Sequence, residues 1–269
     1  MASQTVDKSQ SLRTVKLINV NGANNNNKYW CCWMLPNWDL YAEYGRVGAK
    51  TPGTHTYPNN SQREAEAKLN SLMRDKFKKG YVEASIEDEG EEKLDWNVLG
   101  SNAATIEQAI ERLDSIGRQI FPRSQINFNK GKGRFESSLG IVSAATIEKA
   151  RSALSNVERA IRNPQSSQFA EAAENYLKIV QVPTGMKLNL VELLGNRTKI
   201  RQQKQVLDLL SEGIKLIAST RQQILDLAAE LEGNGRSSWM RWGEAETTDT
   251  THEDSTNLEG ERSRFISWS

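Results

Sequence analysis

The run Tyr44-Gly45-Arg46-Val47-Gly48 sets two reactive side-chain types close together. A phenol ring can stack on a base or sugar, and a guanidinium can fork onto phosphate or carbonyl oxygens. Glycines on both sides of the Arg suggest a strand end that turns tightly and presents the guanidinium. On chemistry alone a plain hairpin turn fits the same residues. Upstream, Asn25-Asn26-Asn27-Lys28-Tyr29-Trp30 is an Asn-rich entry into an aromatic strand. Downstream, Arg74, Lys76, Lys78 and Lys79 crowd beside Tyr81. Such cations neutralise phosphates and release counterions. They also suit a helix C-terminus, where the macrodipole favours positive charge.

Charge is unevenly spread although the net formal charge is only +1. Residues 1–80 hold twelve Lys/Arg against six Asp/Glu, residues 81–95 hold seven acids and one Lys, and residues 237–269 are acidic again. A basic region flanked by acidic ones is compatible with an anionic partner, and equally with solvated helix faces and linkers. The two cysteines, Cys31 and Cys32, are adjacent in an apolar strand and so point to opposite faces. That argues against a shared metal or an ordinary disulfide. They are expected to be reduced thiols, one in the core and one on the surface. His55 and His252 are the only histidines, so no metal site and no Cys–His pair is expected. No nucleophile elbow is present, and Glu91-Glu92 reads as solvated. No cofactor and no catalysis are therefore expected. The absence of a long apolar run argues against a membrane span. The polar N-terminus argues against secretion and for a cytoplasmic, nucleoid or nuclear location.

The elements that must position these residues are readable from periodicity. Residues 1–13 are expected to be disordered, and 14–86 to form a small antiparallel sheet with one covering helix. Thr14 to Val20, Tyr29 to Leu35, Leu40 to Tyr44 and Thr54 to Tyr57 are strand-like, separated by Asn/Gly/Pro clusters. A helix begins near Asn60-Ser61, carries Ala65, Leu69, Leu72, Met73 and Phe77 on one face, and stops at Gly80. Residues 87–97 read as an acidic linker. Residues 98–233 read as an all-α bundle, giving an α+β fold overall. Its apolar stripes are Ile106/Ile110/Leu113/Ile116/Ile120, Ile147/Leu154/Val157/Ile161, Phe169/Ala173/Tyr176/Leu177/Val180 and Val206 to Ala228. The last stripe fits one bent helix or two, with Gly213 as the weak point. Phe121 to Gly140 reads as a basic, flexible loop. Ala103 to Ala109 and Ala144 to Ala150 echo each other as similar helix starts, each after a Ser or Asn suited to capping. Residues 234–269 are expected to be a disordered acidic tail. Its aromatic islands, with Trp239, Trp242, Phe265 and Trp268, are candidates for binding a partner or folding back.

Asn27-Lys28-Tyr29, Tyr44-Gly45-Arg46-Val47-Gly48, Lys76-Phe77 and Lys79-Gly80-Tyr81 together resemble the WGR domain of DNA-dependent poly(ADP-ribose) polymerases. The resemblance implies that the ring at Tyr44 packs on a terminal nucleotide and that Arg46 holds the DNA end or an adjoining domain. Tyr44 stands where the namesake Trp does, and a phenol stacks over less area. Leu139-Gly140, Ser143 to Ile161, Asn175-Tyr176 and Gly185-Met186-Lys187 are similar to the regulatory helical domain of the same polymerases. Gln181-Val182-Pro183-Thr184 replaces that domain's His-Asp-Phe. The family's transferase domain, with its His/Tyr/Glu set for NAD, has no counterpart in this sequence.

The expectation is a non-catalytic binder of DNA, at ends or nicks, or of RNA. Asn27, Lys28, Tyr29, Tyr44, Gly45, Arg46, Lys76, Lys79 and Tyr81 are its candidate contacts, and Arg46 is the sharpest. The alternative is an interaction adaptor whose bundle and aromatic tail hold a protein partner, which could be an ADP-ribosylation enzyme acting in trans. A remote third reading is one half of a split transferase.

Overall fold

A computed structural model describes residues 6–84, 104–137 and 139–243. The chain divides into two compact units, Met1–Ile224 and Leu225–Ser269. The elements described here belong to the first, except for the C-terminal stretch of the last helix.

Strands β1 (Arg13–Asn21), β2 (Asn26–Met34), β3 (Leu40–Arg46) and β4 (Gly53–Tyr57) form an antiparallel meander. A short β5 (Val82–Glu83) returns to β1, giving the order β4-β3-β2-β1-β5. The β1–β2 turn closes through Asn25, whose φ of 51° is a left-handed conformation that Asn tolerates better than most residues. Helix α1 (Gln62–Lys78) is capped by Ser61, whose side chain accepts from the Glu64 N–H, and the chain leaves it through Gly80 at φ 83°. Val15, Leu17, Trp30, Cys32, Met34, Leu40 and Ala42 alternate onto one sheet face and pack with Ala65 and Leu69 of α1.

The opposite face is buried as well. Ile18, Val20, Tyr29 and Cys31 occupy the alternate positions and are all buried. The cover comes from the helical region: α4 (Ser167–Ile179) packs on β1, and residues 182–188 lie against the β1–β2 end. Cys31 is thus not a surface thiol. Burial pushes both Cys31 and Cys32 up to about 12.

In the helical region α2 (Ala104–Ser124) buries Ile106, Leu113, Ile116 and Ile120. Where a flexible loop is expected the chain folds into a second, three-stranded antiparallel sheet: β6 (Asn127–Asn129), β7 (Arg134–Ser137) and β8 (Gly140–Ile141). Phe128 and Phe135 stand opposite each other in it, ring centroids 5.4 Å apart. Gly117 of α2 lets this sheet approach, since a Cβ there would lie 2.9 Å from the Phe128 nitrogen. α3 (Ala144–Ala160) is capped by Ser143, as the sequence echo suggests for this copy; the other copy's Asn102 lies outside the described residues. After α4 come α5 (Leu190–Leu194) and α6 (Arg197–Gly243), one unbroken helix rather than two. Gly213 is not its weak point, because a Cβ there would meet the Phe135 ring at 2.5 Å. The glycine is a notch for that ring. α6 also runs through Trp239 and Trp242, where the polar tail is expected to have begun. The linker 87–97 and residues 244–269, including Phe265 and Trp268, lie outside the described residues. The parts on either side of that linker fall within one compact unit.

Candidate nucleic-acid interface

The nine candidate residues separate into two groups. The first is an exposed cluster on the α1 side of the sheet. Antiparallel register sets Leu17, Trp30, Tyr44 and Gly53 in one row across β1 to β4. Trp30 is in the core, whereas Tyr44, one strand nearer the edge, is 42% exposed. Gly53 makes room for the Tyr44 ring, since a Cβ at Gly53 would sit 2.7 Å from Tyr44 Cε2. The last turn of α1 then brings Lys76 over the row. Its Nζ lies 5.4 Å from the Trp30 ring centroid, 5.8 Å from that of Tyr44 and 5.3 Å from that of Tyr81. Three ring faces direct their negative quadrupole at one ammonium. Burial, and then the neighbouring Lys79, holds the Lys76 amine below the usual lysine range. Tyr81 is placed by the left-handed Gly80 and by Asn19, whose side-chain amide donates to the Lys79 carbonyl at 2.8 Å. Arg74, Phe77, Lys78 and Lys79 at this end of α1 are exposed, as is Lys28 on β2.

The second group is an internal clasp. Arg46 donates from Nε to the Gly185 carbonyl at 2.7 Å, from Nη1 to the Asn25 carbonyl at 3.0 Å and from Nη2 to Asn25 Oδ1 at 2.9 Å. Asn25 Oδ1 also accepts the Leu188 N–H at 2.7 Å, and its Nδ2 donates to the Met186 carbonyl. Asn27, 1% exposed, donates to the Val182 carbonyl and to Thr184 Oγ1. Tyr29 is buried beside Gly45, and Gly48 at φ 84° abuts Pro183. Asn27 and Tyr29 therefore do not present themselves to a ligand, because their polar and ring surfaces are covered by residues 182–188 and the sheet. Arg46, half-buried, spends its three donor nitrogens on Asn25 and Gly185, whereas the sequence suggests it as the sharpest contact for a ligand. Asn25, absent from the candidates, is the centre of the clasp. The run of four Asn residues was the available signal, since such side chains bond backbone at turns.

Trp239 and Trp242 lie on the helical backbone of α6. Among the described residues, no three His, Cys, Asp or Glu side chains gather as a metal site, and no helix is long and apolar enough to cross a membrane.

Exposed aromatic and basic groups thus share one rim of a helix-backed antiparallel sheet. Residues 13–88 match the family model of the WGR domain, a match that spans β1 to β5 and associates this part of the chain with nucleic-acid binding in general. No curated protein matches the chain.

Proposed function

We propose that this is a non-catalytic nucleic-acid-binding protein whose contact surface is the α1-side cluster. Tyr44 would stack on an exposed terminal or unpaired nucleotide, while Lys76, Lys79 and Lys28 meet the flanking phosphates. The single observation that supports this is the half-exposed Tyr44 ring held beside Lys76 at the rim of the sheet. A ring that is fixed and half uncovered stacks with little further ordering cost. Tyr81 adds a further ring contact to the Lys76 ammonium, its centroid 5.3 Å from Nζ.

The test is binding to blunt, nicked and single-stranded oligonucleotides at two salt concentrations. Tyr44→Ala is expected to weaken binding by about 1–3 kcal/mol, the range for one stacked base. Lys79→Ala should weaken all substrates alike and reduce the salt slope by about one. Binding indifferent to salt and to both substitutions overturns the reading. Incubation with NAD, with and without oligonucleotide, should yield no ADP-ribosyl transfer.

The inward use of Arg46 favours a second reading, in which the sheet is scaffold and the helical region holds a protein partner. Loss of a stoichiometric partner on removing residues 234–269, with no oligonucleotide binding, would support that adaptor.

A further inference from the structure

The end of the sheet face that α4 and residues 182–188 leave open carries a second arrangement of rings, unrelated to the Tyr44 cluster. Trp33 on β2 and Tyr41 on β3 are register partners, with centroids 6.1 Å apart and ring planes tilted by 36°. Glu43, two residues along β3 on the same face, accepts from the Tyr41 hydroxyl at 3.2 Å. One ammonium lies among them. Lys8 Nζ is 4.7 Å from the Trp33 ring centroid, 5.6 Å from that of Tyr41 and 2.5 Å from Glu43 Oε1.

We infer that Trp33, Tyr41 and Glu43 form a lysine-binding site that the chain fills with its own Lys8 and that a partner protein's lysine can enter instead. Two ring faces supply cation–π attraction and the carboxylate supplies a charge-assisted hydrogen bond. That combination selects among ammonium ions. The carboxylate needs an N–H to accept, so primary and lower-methylated lysines are favoured over a trimethyl-lysine, which keeps only the ring contacts. Lys8 comes from the segment that precedes β1 and reaches the rings from outside the sheet. Its segment is tied to the sheet by the Leu12 N–H to the Met34 carbonyl, next to the start of β1, and the Lys8 side chain remains 36% exposed. A site filled from within shows an apparent affinity for outside ligand reduced by the fraction of time it stands open.

Full-length protein and its Lys8→Ala variant are titrated with N-acetyl-lysine methylamide and with the Nε-trimethyl analogue. The readout is the Trp33 indole N–H resonance, assigned with Trp33→Phe. The lysine amide should shift it saturably in Lys8→Ala, at concentrations about tenfold lower than in the unaltered protein. The trimethyl analogue should bind more weakly, and Lys8→Ala combined with Glu43→Gln should abolish the shift while amide dispersion elsewhere is retained. No saturable shift in Lys8→Ala, equal response to both amides, or persistence with Glu43→Gln overturns the site and leaves Lys8 as an anchor for the N-terminal segment alone.

Discussion

Tyr44 and Arg46, two residues apart on β3, have opposite surroundings. Tyr44 is half uncovered beside Lys76, whereas Arg46 directs three nitrogens into Asn25 and Gly185. Their substitutions should separate accordingly. Arg46→Ala removes hydrogen bonds near the surface, and it should cost on the order of 1 kcal/mol of stability. It should also speed exchange of the Leu188 amide, which Asn25 Oδ1 holds, while leaving the salt slope of oligonucleotide binding unchanged. Urea titration and amide exchange read the first two, and a changed slope would place Arg46 on the ligand. The buried thiols make a second residue-level prediction. Cys31 and Cys32 lie near 9 when unfolded and are pushed to about 12 when folded. The folded state therefore holds these protons more tightly. The stabilisation is full below about pH 9 and is lost as pH rises toward about 12. Iodoacetamide at pH 8 should leave both untouched in native protein and label both in urea.

At the scale of elements, glycines mark where one element presses on another. A helical Gly→Ala change usually stabilises by about 0.5–1 kcal/mol. At Gly213 the added carbon would meet the Phe135 ring at 2.5 Å, so Gly213→Ala should instead destabilise by about 1–3 kcal/mol, as overpacking does. A urea midpoint at or above that of the parent protein would show that β7 yields to α6. Gly48 combines a φ of 84° with Pro183 Cβ 2.9 Å from the position a Cβ would take. Gly48→Ala should cost about 1–3 kcal/mol and, like Arg46→Ala, expose the Leu188 amide to exchange.

At the scale of the molecule, the sheet is a middle layer. α1 covers one face, α4 and residues 182–188 cover much of the other, and the exposed chemistry is left at the rims. One rim carries Tyr44 and Lys76, and an open end of the far face carries Trp33, Tyr41 and Glu43. Because both are set by the same ladder, Leu17→Ala at its centre should cost about 2–5 kcal/mol and broaden both aromatic sites together in NMR. Perturbation of one site alone would show that the two are not set by a common frame.

The sequence by itself determined the local decisions. Thr14–Val20 and its fellow strands read correctly because turn residues interrupt them, and α1 because Ser61 and Gly80 act within one turn of its ends. Capping and periodicity likewise located α3, α4 and the punctuation at Pro164, Pro183 and Gly195. The strands around Phe128 and Phe135, three and four residues long, are too short to show a period, and their sequence reads as a loop. The unbroken apolar runs Leu17-Ile18 and Trp30-Cys31-Cys32 did hint at a strand covered on both faces. What covers the second face is a stretch some 150 residues away, and no local pattern records such a partner. Tertiary structure alone therefore decided that Asn27 and Arg46 bind the chain itself while Tyr44 faces solvent. Exposure is a property of what packs beside a residue, not of the residue.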